Sequence, residues 1–310
     1  MRKEINIILA GLLISGLMCS VKPSLAFAAG TATAQFLKVG SDARAVAMGS
    51  AFTVICDKSS AIYWNPAGIS NIEIKSLSIS RAFWLEGISC DWVSYVKPTT
   101  IGNFGAAIQY LSYGEILETD ETGLESVNFS PYDLAGIISY ARDFSMGTKN
   151  ISIGMNMKLI SSKIKQTASA IAIDIGGITE INKQLKAGIV IQNLGTKMKF
   201  NSLEEVLPLS IKLGGAYQIK ENWLAALDIT VPTGNSINIG IGTEYNYKLT
   251  DGPNLFGRAG YNTGNATGAG GIRGITLGFG AGFTETDIDY ALVPYGDLGI
   301  THRISIGMKF

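Results

Sequence analysis

Charge is scarce in this sequence. Only 16% of its 310 residues are Asp, Glu, Lys or Arg, where a soluble domain carries roughly 25%. The 25 bases balance the 25 acids, which excludes a nucleic-acid binder that works by bulk positive charge. With 46% apolar residues, a disordered acidic chain is excluded as well. Three cysteines cannot build a disulfide framework. A single histidine, His302, rules out a His-rich metal site and leaves any Ser-His-Asp triad one possible base. Long apolar runs are missing too. Past the first 28 residues the longest uncharged stretch, Pro98 to Gly114, is broken by Asn103, Gln109, Ser112 and several glycines. A spanning helix needs about 20 apolar residues, so any meeting with a membrane uses something other than a helix. What is plentiful is glycine, 37 residues, beside a mean hydropathy of +0.24.

The first segment reads as an export signal. Arg2 and Lys3 precede an apolar run from Ile7 to Met18, and Ala26-Phe27-Ala28 places small residues where a signal peptidase reads them. The run is too short for a membrane anchor. A lipoprotein reading through Cys19 is weakened by Met18, where a small residue is expected. The expected division is a signal peptide over 1–28, a distinct N-terminal segment over 29–71 and a strand domain over 72–310.

From residue 72 onward, alternation with a period of two dominates. Ile151, Ile153, Met155, Met157 and Leu159 alternate with Ser152, Gly154, Asn156 and Lys158. The same pattern recurs at 209–220, 236–248 and 303–310. Fourteen such runs can be counted, most of them 9–12 residues long, which suits tilted membrane strands of about 9–11 residues. The first run slips phase around Ser76, which suggests a bulge or a late start. Connections alternate between short turns and loops that are mostly longer, notably Tyr113–Tyr132, Leu194–Leu207 and Thr263–Gly270. An even strand count with short turns at one end is the pattern of an outer-membrane barrel. The sequence thus predicts an all-β, 14-stranded antiparallel transmembrane barrel with an N-terminal plug. A soluble two-sheet sandwich would also alternate, but its solvated face would carry more Lys and Glu than the Gly- and Ser-rich polar face seen here.

One strand face is apolar and suited to lipid. The other carries the candidate lumen charges Lys158, Asp228, Glu244, Arg258 and Arg273, together with Asp174 and Lys212. Cys90 and Trp92 share a face that the alternation assigns to lipid. Trp84, Trp92, Tyr110, Tyr113, Tyr132, Tyr140, Tyr261 and Tyr295 fall near strand ends, as an aromatic girdle would. The terminal Phe310 closes an alternating strand, the form of a signal read by barrel-assembly machinery.

Residues 29–71 do not alternate. Ser41 to Gly49 is Ala-rich and reads as a short helix ended by glycine, and Asp57 to Trp64 as a second, capped by Ser59 or Ser60 and stopped by Asn65-Pro66. A 14-strand barrel encloses more room than its own side chains fill, so this segment belongs inside.

Three stretches, Ala34-Gln35-Phe36-Leu37, Ser41 to Gly49, and Asp57 to Gly68 with its Asn65-Pro66-Ala67-Gly68 turn, are similar to the opening of the PorV/PorQ family. Asp289 to Arg303 resembles that family's last hairpin. The family itself resembles FadL-type transporters, whose N-terminal hatch carries a similar Asn-Pro-Ala turn. The resemblance implies a 14-strand barrel plugged by its N-terminus. Cys56 departs from the small residue common at its position, and the loops are short for a secretion-system member.

No enzymatic constellation emerges and no cofactor is expected. His302, at the start of the last strand, reads as a strand-end contact. The run Gly268 to Gly274 lacks the Lys-Ser/Thr ending of a phosphate loop. Asp287 and Asp289 share a strand face, with Asp297 in the next loop, which allows a bound cation or plain solvated charge. An oxidising compartment would permit a Cys56–Cys90 bridge. Two roles follow. In one, a channel is opened by movement around Asn65, Pro66, Ala67 and Gly68 and passes a hydrophobic or amphipathic molecule across the outer membrane of a Gram-negative type cell. In the other, a docking barrel holds exported proteins or surface polymer on its 113–132 and 194–207 loops. Expected partners are outer-membrane lipid, that molecule or protein, and the assembly machinery through the C-terminal strand, with no nucleic acid.

Overall fold

The computed structural model describes residues 32–119, 125–147, 149–200, 203–250, 252–266 and 271–310. The expected signal over 1–28 lies outside them. The fourteen barrel strands in chain order are β1 Ser76–Phe83, β2 Ser89–Lys97, β3 Asn103–Ser112, β4 Tyr132–Met146, β5 Lys149–Lys163, β6 Thr167–Glu180 and β7 Leu185–Gly195. They continue with β8 Ser210–Lys220, β9 Trp223–Pro232, β10 Asn238–Lys248, β11 Asn254–Asn262, β12 Ile275–Gly282, β13 Thr286–Pro294 and β14 Ile300–Lys309. Each pairs antiparallel with its neighbours, and β1 closes on β14 from Ser76–Lys309 to Phe83–His302. A closed sheet has no edge to satisfy, and the sandwich reading falls. β1 begins at Ser76, so the phase slip marks a late strand start.

Outward side chains are the apolar set: Ile153, Met155, Met157 and Leu159 of β5 are exposed, as are Ile239, Ile241, Tyr245 and Tyr247 of β10. Lipid is the solvent that tolerates such a surface. Among the described residues no helix is long and apolar enough to span a membrane. Two small ribbons lie outside the barrel sheet, Ile116–Thr119 with Glu125–Phe129 and Met198–Phe200 with Leu203–Glu205.

The assignment of Trp92 and Cys90 to lipid is corrected: both point inward, Trp92 being 1% exposed. Register explains it. Trp92 stands opposite Ser80 and Gln109, which also face in, whereas Asp91 faces out and pairs with Arg81 at 2.7 Å. Inside, Trp92 meets Tyr63 edge-on at 5.7 Å. Cys56 and Cys90 are buried free thiols, so the bridge is not formed.

Residues 32–75 are short helical turns joined by loops, packed against the inward side chains. Helix α1 is Ala43–Ala47, with the Asp42 carboxylate accepting from Arg44 N–H as its N-cap and Gly49 in the left-handed region after it. Helix α2 is Ala61–Trp64. Ser60 precedes it without a side-chain cap; its hydroxyl donates to Asp42 at 2.6 Å instead. Phe52, Ile62, Tyr63, Trp64 and Ile69 form, with Trp92 and Val96 of the wall, one buried apolar cluster.

Candidate functional site

Helices this short satisfy few of their own peptide groups, and the barrel wall supplies the missing partners. Gln109 donates to the Phe36 and Val39 carbonyls (3.0 and 3.1 Å), Asn156 to Ile62 (2.7 Å), Gln192 to Tyr63 (2.6 Å), and Asn103 to Ile69 and Ile72 (both 2.7 Å). Asp228 of β9 works the other way: its Oδ2 accepts from the Phe52 and Thr53 N–H groups, both at 3.0 Å, and from the Thr53 hydroxyl at 2.6 Å. The Asn-Pro-Ala-Gly turn is gripped directly. Asn65 Oδ1 accepts from Ala67 N–H, while its Nδ2 donates to the Thr53 carbonyl at 3.0 Å and to Ile189 of β7 at 3.3 Å. A Cβ at Gly154 would collide with the Pro66 backbone and one at Gly176 with Asn65 Oδ1, so glycine is what lets the turn touch β5 and β6.

The densest contact is ionic. Arg44 of α1 forms a two-pronged pair with Glu244 of β10, Nε to Oε2 at 2.7 Å and Nη2 to Oε1 at 2.8 Å, while its Nη1 holds Asp57 at 2.8 Å. Glu244 also accepts from Arg258 of β11 at 2.5 Å, and Arg258 reaches Asp289 of β13 at 2.7 Å. Lys58 then pairs with Asp289 at 3.1 Å and Asp287 at 3.2 Å. The chain Asp57–Arg44–Glu244–Arg258–Asp289–Lys58–Asp287 alternates in sign throughout, three members coming from the N-terminal segment and four from the wall. Burial alone would lower the Arg44 pKa, but the Asp57 and Glu244 carboxylates outweigh it and hold the guanidinium well above its ordinary value. Lys58 behaves alike: burial is the largest single influence and lowers it, but Asp289, Asp42 and Asp287 together raise it more, and the net shift is upward. The cation that Asp287 and Asp289 hold is therefore the protein's own lysine. A second inner cluster joins Lys158 of β5 to Asp174 of β6 at 2.8 Å and to Asn193 Oδ1 at 2.7 Å.

Of the sequence-derived lumen charges, Glu244 and Arg258 share the ionic chain, Asp228 holds residues 52–53, and Lys158 sits in its own cluster. Arg273 precedes β12, in the loop region bridged to Tyr295, and joins none of them. The sequence singles out Asp289, beside Asp287, as a cation ligand or solvated charge, but not Arg44, Asp57 or Lys58. The signal for those three is present only in that they are among the few charges, with Lys38 and Asp42, of residues 29–71. His302 accepts or donates at Nδ1 to the Tyr290 hydroxyl at 2.6 Å, a contact near the strand end. Among the described residues no three His, Cys, Asp or Glu side chains gather as metal ligands.

Two cavities flank the buried cluster around Phe52 and Trp64. One, about 470 Å³, lies at the short-turn end beside Arg44, Cys56, Asp57, Lys183 and Glu221. The other, about 480 Å³, lies at the long-loop end beside Lys38, Trp64, Lys212, Asn235 and Asn265. Residues 50–64 contribute to the lining of both.

The fold has relatives among solved structures. The Pseudomonas putida toluene transporter TodX overlays at a TM-score of 0.56 with 14% identity, covering 87% of this chain and 98% of that one. The CymD monoaromatic hydrocarbon channel overlays at 0.57 with 11% identity, covering 88% and 98%. At these identities the likeness is one of fold. No curated protein matches the sequence. A family model described as type IX secretion system protein PorV matches residues 26–231. This outer-membrane β-barrel belongs to the PorV family.

Proposed function

We propose that the chain is a gated outer-membrane barrel in which residues 29–71, freed by removal of 1–28 on export, act as a hatch. The observation that carries this reading is the non-covalent clamp. The segment separating the two cavities is tied to β10 and β13 by ion pairs through Arg44 and Lys58, and no disulfide tethers it among the described residues. The Asn65-Pro66-Ala67-Gly68 turn, seated against Gly154 and Gly176, is the pivot, and release of Arg44 from Glu244 lets the 44–58 arm swing. The lumen charges Lys158, Asp228, Glu244 and Arg258 would then line the open path, with Arg273 at its rim. A hydrophobic or amphipathic molecule is the cargo class, in keeping with the toluene transporter and hydrocarbon channel of the same fold. The apolar outer face meets lipid, and the strand ending in Phe310 offers itself to the assembly machinery.

The test is conductance and uptake of an aromatic hydrocarbon across reconstituted bilayers, with the wild-type chain beside Arg44→Ala. Opening above the wild-type level in the variant supports the gate; two equally closed proteins overturn it.

A second reading is favoured by the family itself. A closed barrel docks exported proteins or surface polymer on the 113–132 and 194–207 loops. The second loop is folded back onto the N-terminal segment, with Thr33 N–H donating to the Val206 carbonyl at 3.0 Å. Capture of a stable exported protein from solubilised outer membranes, lost on shortening either loop, distinguishes docking from passage.

A further inference from the structure

The long-loop cavity is built for a ligand unlike a hydrocarbon. Lys38 and Lys212 line it, and no Asp or Glu does. Lys212 of β8 lies over the Trp64 ring at 5.1 Å and over Tyr63 at 5.9 Å, and it makes no ion pair among the described residues. Asp228, the inward acid on the neighbouring strand, spends Oδ2 on residues 52 and 53 and acts on Lys212 only from beyond ion-pair distance. Lys38, at the end of the Gln35–Lys38 turn, is exposed and likewise without an ion pair among the described residues. Elsewhere inside this barrel most buried cations are paired: Lys58 holds two carboxylates, Arg44 two and Arg258 two, while Arg303 donates to the Gly40 carbonyl instead. A half-buried ammonium with no carboxylate in contact attracts an anion, more strongly where water is thinned.

The rest of the lining says what else the anion carries. Asn235, Asn238, Asn265 and Gln35 present amides, each able to donate and accept at once, as sugar hydroxyls do. About 480 Å³ falls within the range of roughly 300–1,000 Å³ for small-molecule sites. We infer that this cavity binds an acidic sugar, its carboxylate drawn to Lys212 and Lys38 and its hydroxyls met by the surrounding amides. The inference goes beyond the gate, because the cavity stands on the loop side of the hatch and needs no opening.

The full chain in detergent is titrated calorimetrically with glucuronic acid, glucose and acetate. Glucuronic acid alone should bind, and its affinity should fall at least about tenfold in Lys212→Gln, in keeping with the loss of one partly desolvated charge. Because Lys38 is exposed, Lys38→Gln keeps the fold and should weaken binding as well. Lys183→Gln, at the other cavity, should leave it unchanged. Glucose or acetate binding as well as glucuronic acid, no glucuronic acid binding at all, or full affinity in both Lys212→Gln and Lys38→Gln would each overturn the inference.

Discussion

Arg44 and Glu244 lie 200 residues apart in sequence and meet through two parallel hydrogen bonds, of 2.7 and 2.8 Å. Such a fork holds both partners in one plane. Arg44→Ala strips Glu244 of one of its two guanidinium partners and leaves Asp57 without its arginine. The expected cost is about 3–5 kcal/mol of barrel stability, read as a lower temperature at which the folded species is lost on heat-modifiable gels. Arg44→Lys, with charge but no fork, should fall between.

Lys58 gives the clamp a pH dependence at its alkaline end. Its pKa in the folded chain is raised above the ordinary 10.5, so the stability it adds is complete below that value and is lost as pH rises through the shifted pKa. Lys58→Met should therefore be less stable than wild type by a constant margin from pH 7 to pH 9, and the margin should shrink only above about pH 10.5. A margin that vanished near neutrality would contradict the assignment.

Cys56 would report on movement of the N-terminal segment. Burial first, then the neighbouring Asp57 and Asp228 charges, pushes its thiol well above its ordinary pKa, so little thiolate forms near neutrality. Wild-type chain treated with N-ethylmaleimide at pH 7.5 should stay unlabelled at Cys56, whereas Arg44→Ala should label. Peptide mapping by mass spectrometry gives the answer.

Wall glycines should divide into two groups. A Cβ at Gly242 would strike the Met48 carbonyl, and one at Gly176 the Asn65 side chain, while Gly136 and Gly257 have nothing within 4 Å. Alanine at 176 or 242 should cost about 1–3 kcal/mol through overpacking, and alanine at 136 or 257 should be close to neutral, both measured by thermal midpoint.

Much of the barrel was legible because a two-residue period survives in any strand with lipid on one side. Ile153, Met155, Met157 and Leu159 announced their face, and Lys158, Asp228, Glu244 and Arg258 announced the other. Trp92 broke the code. A large aromatic reads as lipid-facing by chemistry alone, and only the presence of Tyr63 behind the wall makes the inside its better place. The ionic chain was illegible for a related reason: Arg44, Glu244 and Asp289 are brought together by closure of the sheet, and no local pattern encodes that closure. Ser60 was read as a cap from its position, but Asp42 competes for its hydroxyl.

The amides that hold the carbonyls of Phe36, Ile62, Tyr63 and Ile69 belong to β3, β5 and β7. Turns of four to six residues do not persist alone in water. The N-terminal stretch therefore has no shape to bring with it and takes one only from strands made after it. Synthesised first, it would settle last. The sheet would then curl around a still-pliant thread before β1 and β14 join, and a barrel zipped too early would enclose an empty lumen.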